Sequence, residues 1–344
     1  MSEPIFKIRN VSKSFGSKTV LSNINLDIYA GEVLGVIGSS GSGKTTLLNT
    51  IIGFLKPEKG DVLFRQAHLL KSGTGSGYDS VYRKKFLVKQ TYGFASQLPS
   101  FYKKLSVKEN LDYFGTLYDL SKTAIVQNRN TLLKLMDLNL AENTLAENLS
   151  GGMERRLDIA CAMMHDPDVL ILDEPTADLD PLLKNHIWQL LRSINKKGTT
   201  VLVSSHHLQD MEKLCTRVAL LKYGKIVDIG PPDEIRIKYQ KAEEIVIESY
   251  PGDYKKLLSK LKLKSIIKTG VNGTELSIFT TNPAKVLHRI LHIVEEAKEE
   301  IIELRVIKPT LEDVFLSMSS KKENDVNYLS ADKDDDQEIK IEVG

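Results

Sequence analysis

Val33-Leu34-Gly35-Val36-Ile37-Gly38-Ser39-Ser40-Gly41-Ser42-Gly43-Lys44-Thr45-Thr46-Leu47-Leu48-Asn49-Thr50-Ile51-Ile52-Gly53 decides the fold. Val33 to Ile37 is a short apolar run after the break at Gly31, so it reads as a buried strand. Gly38 to Thr45 matches G-x-x-x-x-G-K-[ST], and Thr46 to Ile52 opens a helix that Gly53 ends. Strand, glycine loop and helix in that order are the context a phosphate-binding loop needs. Glycines let successive backbone N–H groups turn inward around phosphate oxygens, and the helix N-terminus adds its positive dipole end. On this reading Lys44 reaches the β- and γ-phosphates of a nucleotide and the Thr45 hydroxyl ligates Mg2+. Gly38, Ser39, Ser40, Gly41, Ser42, Gly43, Lys44, Thr45 and Thr46 are the candidate contacts.

Working outward, residues 5–9 and 20–28 read as strands, the second with Val20, Leu21, Ile24, Leu26 and Ile28. Residues 71–77 (KSGTGSG) read as a flexible, exposed insertion. Residues 106–165 look helical, with Ser106 as an N-cap and Glu109 at capping-box spacing. Val169 to Leu172 and Val201 to Val203 are short apolar runs and read as buried parallel strands. The expectation is an α/β fold, a parallel sheet carrying an inserted helical segment. The first of those runs ends in Asp173-Glu174, and strand ends face the ligand crevice of open α/β sheets. Asp173 is placed to hold Mg2+ through water, and Glu174 to polarise an attacking water.

After Pro231-Pro232 the pattern changes. Ile245 to Ile247 reads as a strand; Tyr254, Leu257, Leu258 and Leu261 share one helix face; strands follow near 265–268 and 275–280. Leu287, Ile290, Leu291 and Val294 repeat the helix spacing, and Ile302, Leu304 and Val306 alternate as in a strand. That order, βαββαβ, is the ferredoxin-like split unit. The expected domains are therefore 1–235, a small α+β domain over 240–320, and a tail over 321–344. The tail carries eight acids against two lysines from Glu323 onward and reads as disordered.

The 344 residues are 41% hydrophobic and 27% charged, an ordinary globular balance with enough apolar material for a large core. A net charge of +2 gives no reason to expect nucleic acid as a partner. Cys161 and Cys215 have no metal-ligand spacing and suggest a reduced, intracellular protein. The start, MSEPIFKIRN, lacks the apolar region of a signal peptide. No run approaches the roughly 18 apolar residues of a membrane span, so any contact with a membrane is expected to run through a partner.

Leu149-Ser150-Gly151-Gly152-Met153 follows the helical insertion and precedes a helix from Glu154 to Met164. Glycines before a helix expose N–H groups to an anion, and a second anion site is unexplained within one chain that already has a phosphate loop. The segment resembles the LSGGQ signature of ATP-binding-cassette (ABC) ATPases, which lies between the phosphate loop and the Asp-Glu strand as here. The resemblance covers roughly residues 1–235 and implies a P-loop NTPase of the ABC nucleotide-binding type with a helical subdomain. In that family the signature closes over the γ-phosphate held by the opposite subunit, which makes Ser150, Gly151 and Gly152 nucleotide contacts in trans. Other landmarks fall in order. Phe15 resembles the aromatic that stacks on adenine; Gln97 resembles the Q-loop glutamine that senses Mg2+ and the membrane subunit. Asp178-Leu179-Asp180 resembles the D-loop, and His206 resembles the switch histidine on the γ-phosphate, with His207 its rival. Three features depart from the family pattern: Met153 in place of the signature glutamine, Ala177-Asp178 in the D-loop, and a long connection through 65–92.

Pro309-Thr310-Leu311-Glu312-Asp313-Val314-Phe315-Leu316 resembles the ending of ABC-2 type exporter ATPases; read without the family it is a helix capped by Thr310 with Asp313 three residues on. The resemblance implies an ATP-hydrolysing subunit that takes ATP and Mg2+, pairs with a second ABC subunit, and docks on a separate integral membrane permease at the cytoplasmic face of the cell membrane. A soluble ATPase with a remodelling or regulatory role and no permease is the alternative. Leu98, Pro99, Phe101 and Tyr102, beside Gln97, are read as an exposed docking surface, with packing inside the helical segment as the equal alternative.

Overall fold

The computed structural model describes residues 3–65, 77–239, 242–261, 263–297 and 299–313. Most of the insertion at 71–77, the residues from Val314 onward and the acidic tail lie outside them. The chain divides into two compact units, Met1–Pro232 and Asp233–Gly344.

The first unit holds two sheets. β1 (Pro4–Phe15) and β2 (Lys18–Tyr29) form a long antiparallel pair, with β4 (Lys59–Phe64) and the short β5 (Asp79–Ser80) on the far side of β1. The other sheet has six strands. β3 (Val33–Ile37), β6 (Tyr92–Ala95), β7 (Val169–Asp173), β8 (Thr200–Ser205), β9 (Arg217–Lys222) and β10 (Lys225–Gly230) lie in the order β10-β9-β3-β8-β7-β6. Every pair from β9 to β6 is parallel, and only β10 runs antiparallel to its neighbour. All residues of β3, β7 and β8 are buried, as expected of a parallel sheet covered on both faces.

α1 (Lys44–Ile51) starts two residues earlier than the apolar pattern suggested, because Gly43 adopts a left-handed φ of 106° and turns the loop directly into the helix. Leu47, Leu48 and Ile51 of α1 are fully buried in the core shared by both sheets; such burial contributes about 1.5–3 kcal/mol per side chain. α2 (Lys85–Thr91) leads into β6. The inserted helical segment comprises α3 (Val107–Leu117), α4 (Lys122–Leu135) and α5 (Gly151–Ala162). Ser106 and Glu109 form the reciprocal capping box at the start of α3, and the Ser121 hydroxyl caps α4 through Ala124 N–H. α6 (Pro181–Lys196) turns Ile187, Trp188, Leu190, Leu191 and Ile194 inward at helical spacing, and α7 (Leu208–Leu214) precedes β9.

The second unit opens with α8 (Pro232–Tyr239). It then runs β11 (Glu243–Tyr250), α9 (Tyr254–Lys260), β12 (Ile266–Asn272), β13 (Glu275–Thr280), α10 (Pro283–Ala297) and β14 (Glu300–Ile307). The strands lie in the order β12-β13-β11-β14, all antiparallel. Ile245, Ile247, Leu276 and Ile278 pack with Leu257 of α9 and with Val286 and Ile290 of α10. Thr310 and Asp313 cap one another: the carboxylate accepts from Thr310 N and Oγ, and Thr310 Oγ accepts from Asp313 N.

Candidate active site

The sheet register brings separate motifs to one edge. Ile37 pairs with Ser205, Ser204 with Asp173, and Leu172 with Ala95. The glycine loop, His206, Glu174 and the segment bearing Gln97 therefore leave the carboxyl ends of four neighbouring strands together, where open α/β sheets bind ligands.

The loop is shaped by its glycines. A Cβ at Gly38 would sit 2.4 Å from Leu221 O, and one at Gly43 3.0 Å from Leu21 Cδ2. Gly41 and Gly43 hold φ of 77° and 106°, in the left-handed region that favours glycine. Ser39, Ser40, Gly41 and Thr45 are exposed, Thr46 is half-buried, and Ser42 is buried with its hydroxyl unpartnered. Lys44 is buried, and its ammonium donates to Gly38 O at 2.9 Å and Ser39 O at 3.3 Å. The same ammonium lies 3.2 Å from Glu174 Oε1. Glu174 Oε2 accepts from His206 Nδ1 at 2.9 Å. His206 therefore reaches the carboxylate, while His207 stands beside it with Nε2 3.4 Å from Lys184 Nζ. Burial, then the neighbouring His206 and Lys184, hold the His207 imidazole below its ordinary range.

Glu174 has a φ of 48°, an uncommon conformation for a side-chain-bearing residue and of a kind that clusters at functional sites. Its N–H is held by Ser204, through both the hydroxyl at 3.1 Å and the carbonyl at 3.2 Å. The Ser204 hydroxyl in turn donates to Asp173, whose carboxylate is buried at the end of β7. This group can bind polyphosphate with one cation and aim one carboxylate at a water.

The chain matches the ABC transporter family over residues 21–177. It is 32% identical over 327 residues to the Nod factor export ATP-binding protein I of Rhizobium leguminosarum bv. viciae, covering 94% of this chain and 97% of that protein. The chain belongs to the ABC transporter ATPases. The linearmycin resistance ATP-binding protein LnrL of Bacillus subtilis is 28% identical and covers 92% of this chain and 99% of its own length. The daunorubicin resistance ATP-binding protein DrrA3 of Streptomyces coeruleorubidus is also 28% identical, over 93% of this chain and 97% of that one. Among solved structures, cbiO1 from Clostridium perfringens, part of the ABC transporter complex cbiONQ, aligns with a TM-score of 0.61 at 27% identity, over 68% of this chain and 91% of that one. This ABC ATPase is thus an exporter-type subunit that binds ATP and hydrolyses it for transport.

Other residues expected at the ABC site fall outside the Lys44 cluster. Phe15 is exposed near the β1–β2 turn, with Lys13 Nζ 5.3 Å from its ring centre, so it is not a core aromatic. Gln97 is exposed just beyond β6. Asp180 caps α6, its Oδ1 accepting from Leu182 and Leu183 N–H, and makes no hydrogen bond to the cluster among the described residues. Ser150 occupies the N-cap of α5, yet its hydroxyl makes no capping bond, and it and Gly151 are exposed. Gly152 is buried; a Cβ there would lie 2.7 Å from Leu183 Cδ2. No helix among the described residues is long and apolar enough to cross a membrane.

The docking surface read beside Gln97 is corrected at Phe101, where the alternative of packing inside the helical segment holds. Phe101 is 7% exposed and belongs to the core, held beside Tyr102, whose N–H donates to the fully buried Asn110. Leu98 at 79% and Tyr102 at 50% remain on the surface, joined by Tyr113, whose ring meets Tyr102 edge-on at 4.9 Å.

Sequence reasoning missed Arg155 and Asp158, which lie buried in α5 and are ion-paired at 3.0 Å. Burial pushes the Asp158 carboxyl up, opposed by Arg155 and by two bonds from Ser100. Asp158, the one charge in the otherwise small and apolar run from Leu157 to Ala162, with Arg155 three residues before it, was the available signal.

Proposed function

We propose that this chain is one half of a composite ATPase, in which two subunits enclose two ATP molecules and drive a separate integral membrane permease of the ABC-2 exporter type. The observation that carries the reading is the meeting of Lys44, Glu174 and His206 at one sheet edge, while the Ser150 hydroxyl and the first turn of α5 stay unspent. A helix start with free donors suits phosphate supplied by a second chain.

Triphosphate oxygens compete with the Gly38 and Ser39 carbonyls for the Lys44 ammonium. As Lys44 turns to the phosphates, Glu174 Oε1 is released to accept a proton from water. The water oxygen bonds to the γ-phosphorus, the bond to the β–γ bridging oxygen breaks, and His206 donates to the departing phosphoryl group. Phe15 offers an open ring face to adenine. Thr45, Asp173 and Gln97 would offer a hydroxyl, a carboxylate and an amide oxygen, donors of the kind that Mg2+ prefers. Bound there, Mg2+ would offset phosphate charge.

Leu98, Tyr102 and Tyr113 present an apolar surface beside Gln97, and we assign permease docking to it. That docking would hold the chain at the cytoplasmic face of the membrane. We further propose that residues 1–235 form the nucleotide-binding domain and 240–320 an accessory domain of ferredoxin-like fold; the β12-β13-β11-β14 order with α9 and α10 as crossovers supports this. The test is co-purification of this chain with its membrane subunit followed by ATPase assay. Association with stimulated hydrolysis is expected; an active chain that fractionates alone while the permease is present would favour a soluble remodelling role.

A further inference from the structure

We propose that Arg155 and Asp158 form a buried clasp that positions Glu174 from the loop carrying Gln97; the inference rests on the proposed role of Glu174 as the base. Arg155 is buried near the start of α5, and its guanidinium reaches four acceptors. Nε donates to Pro175 O at 3.0 Å and Nη2 to Asp173 O at 3.3 Å. Those carbonyls belong to the residues on either side of Glu174. Nη1 donates to Ser96 O at 2.7 Å, immediately before Gln97, and to Asp158 Oδ2 at 3.0 Å. Asp158 is fully buried and completes the circuit: its Oδ1 accepts from Ser100 N and Ser100 Oγ, each at 2.8 Å.

One side chain therefore holds both flanks of Glu174 and the entry to the Gln97 loop, while its counter-ion holds the exit. Glu174 sits at a φ of 48°, a conformation that persists only when its surroundings over-determine it. The clasp supplies part of that constraint. Because Arg155 lies in the second turn of the helix whose N-cap is Ser150, a displacement of the Gln97 loop is also carried to the signature end of α5. The planar fork of arginine, with five N–H donors, meets these acceptors, whereas lysine offers one compact head that cannot span them. Arg155 is thus a positioning residue and makes no contact with the reacting atoms.

The experiment compares Arg155→Lys, Arg155→Met and Ser100→Ala in the full chain assembled with its permease, with Glu174→Gln in parallel. Nucleotide titration, steady-state ATPase and thermal melting are measured for each. Both Arg155 variants are expected to keep KM for ATP within about twofold while kcat falls roughly 10- to 100-fold, the scale of a misplaced catalytic group. Ser100→Ala, which removes one of the two Ser100 bonds to Asp158, is expected to lower kcat severalfold at an unchanged melting temperature. If Arg155→Met does not fold, Arg155→Lys and Ser100→Ala carry the test. Wild-type kcat in Arg155→Lys would overturn the clasp, since charge alone would then suffice. Loss of kcat only in proportion to lost folded protein would also overturn it. Wild-type turnover in Glu174→Gln would instead remove the base on which the inference stands.

Discussion

Replacing Glu174 with glutamine separates binding from chemistry in this site. The substitution keeps the side chain's shape and the φ of 48°, and the Ser204 contacts to the Glu174 N–H are backbone-directed and remain. What changes is charge. Glutamine cannot take a proton from water, so hydrolysis should slow by roughly 10²- to 10⁴-fold. The Lys44–Glu174 contact at 3.2 Å, with both side chains buried, competes with phosphate for the ammonium. A hydrogen bond to a charged group contributes about 1.5–3 kcal/mol. The glutamine carbonyl still accepts from Lys44, so the lower end applies, and ATP should bind about tenfold more tightly. Fluorescent-nucleotide titration measures the affinity and single-turnover hydrolysis measures the rate. Weaker ATP binding in the variant would refute the competition argument, and turnover at the wild-type rate would refute the base.

Two further outcomes follow from burial. Phe101→Asp should destabilise the chain by on the order of 3–5 kcal/mol through cavity formation and a buried charge, whereas Leu98→Asp should leave the melting temperature unchanged and weaken co-purification with the permease; equal melting temperatures for the two variants would contradict the placement of Phe101 in the core. His165 is stacked on Tyr118 at 3.7 Å, and burial depresses its imidazole to about 4. The unfolded chain therefore binds the extra proton first as pH falls: this contribution to stability is complete above about pH 6.5, is lost as pH drops toward about 4, and amounts to roughly 3 kcal/mol. Urea midpoints at pH 7.5 and 5 should differ more in the wild type than in His165→Phe, and identical differences would rule out His165 as the source.

The site's contiguous parts were legible in the sequence because their neighbours in space are neighbours in the chain. Gly38 to Lys44 shape one loop by their own backbone conformations, and Asp173-Glu174 inherit their position from an apolar strand with no other role than burial. The βαββαβ order of the second unit was legible for the same reason, since each element declares its own periodicity. Pairing between distant segments was not. Nothing local says that β1 joins β2 and β4 in a separate antiparallel sheet, with several register shifts along its length. For Phe101 the sequence left surface and core both open, because a loop beside Gln97 carries no periodicity; the structure buries it beside Tyr102, which Asn110, nine positions on, folds back to hold. Alignment to the end of β8 favoured His206 over His207 in the sequence, and the side-chain geometry agrees, with His206 on Glu174 and His207 beside Lys184. Arg155 escaped notice because most of its acceptors are backbone carbonyls, which any residue supplies and no sequence pattern marks.

The composite nucleotide site is tested most directly by site-directed crosslinking between subunits. Ser39 and Ser150 are both exposed, and the native Cys161 and Cys215 are buried, so Ser39→Cys with Ser150→Cys introduces the only accessible thiols among the described residues. Under mild oxidation, a species of twice the chain mass should form when a non-hydrolysable ATP analogue and Mg2+ are present, and Lys44→Ala should abolish it. A crosslink of equal yield without nucleotide, or none at all from a protein that still hydrolyses ATP, would contradict a site shared between two chains.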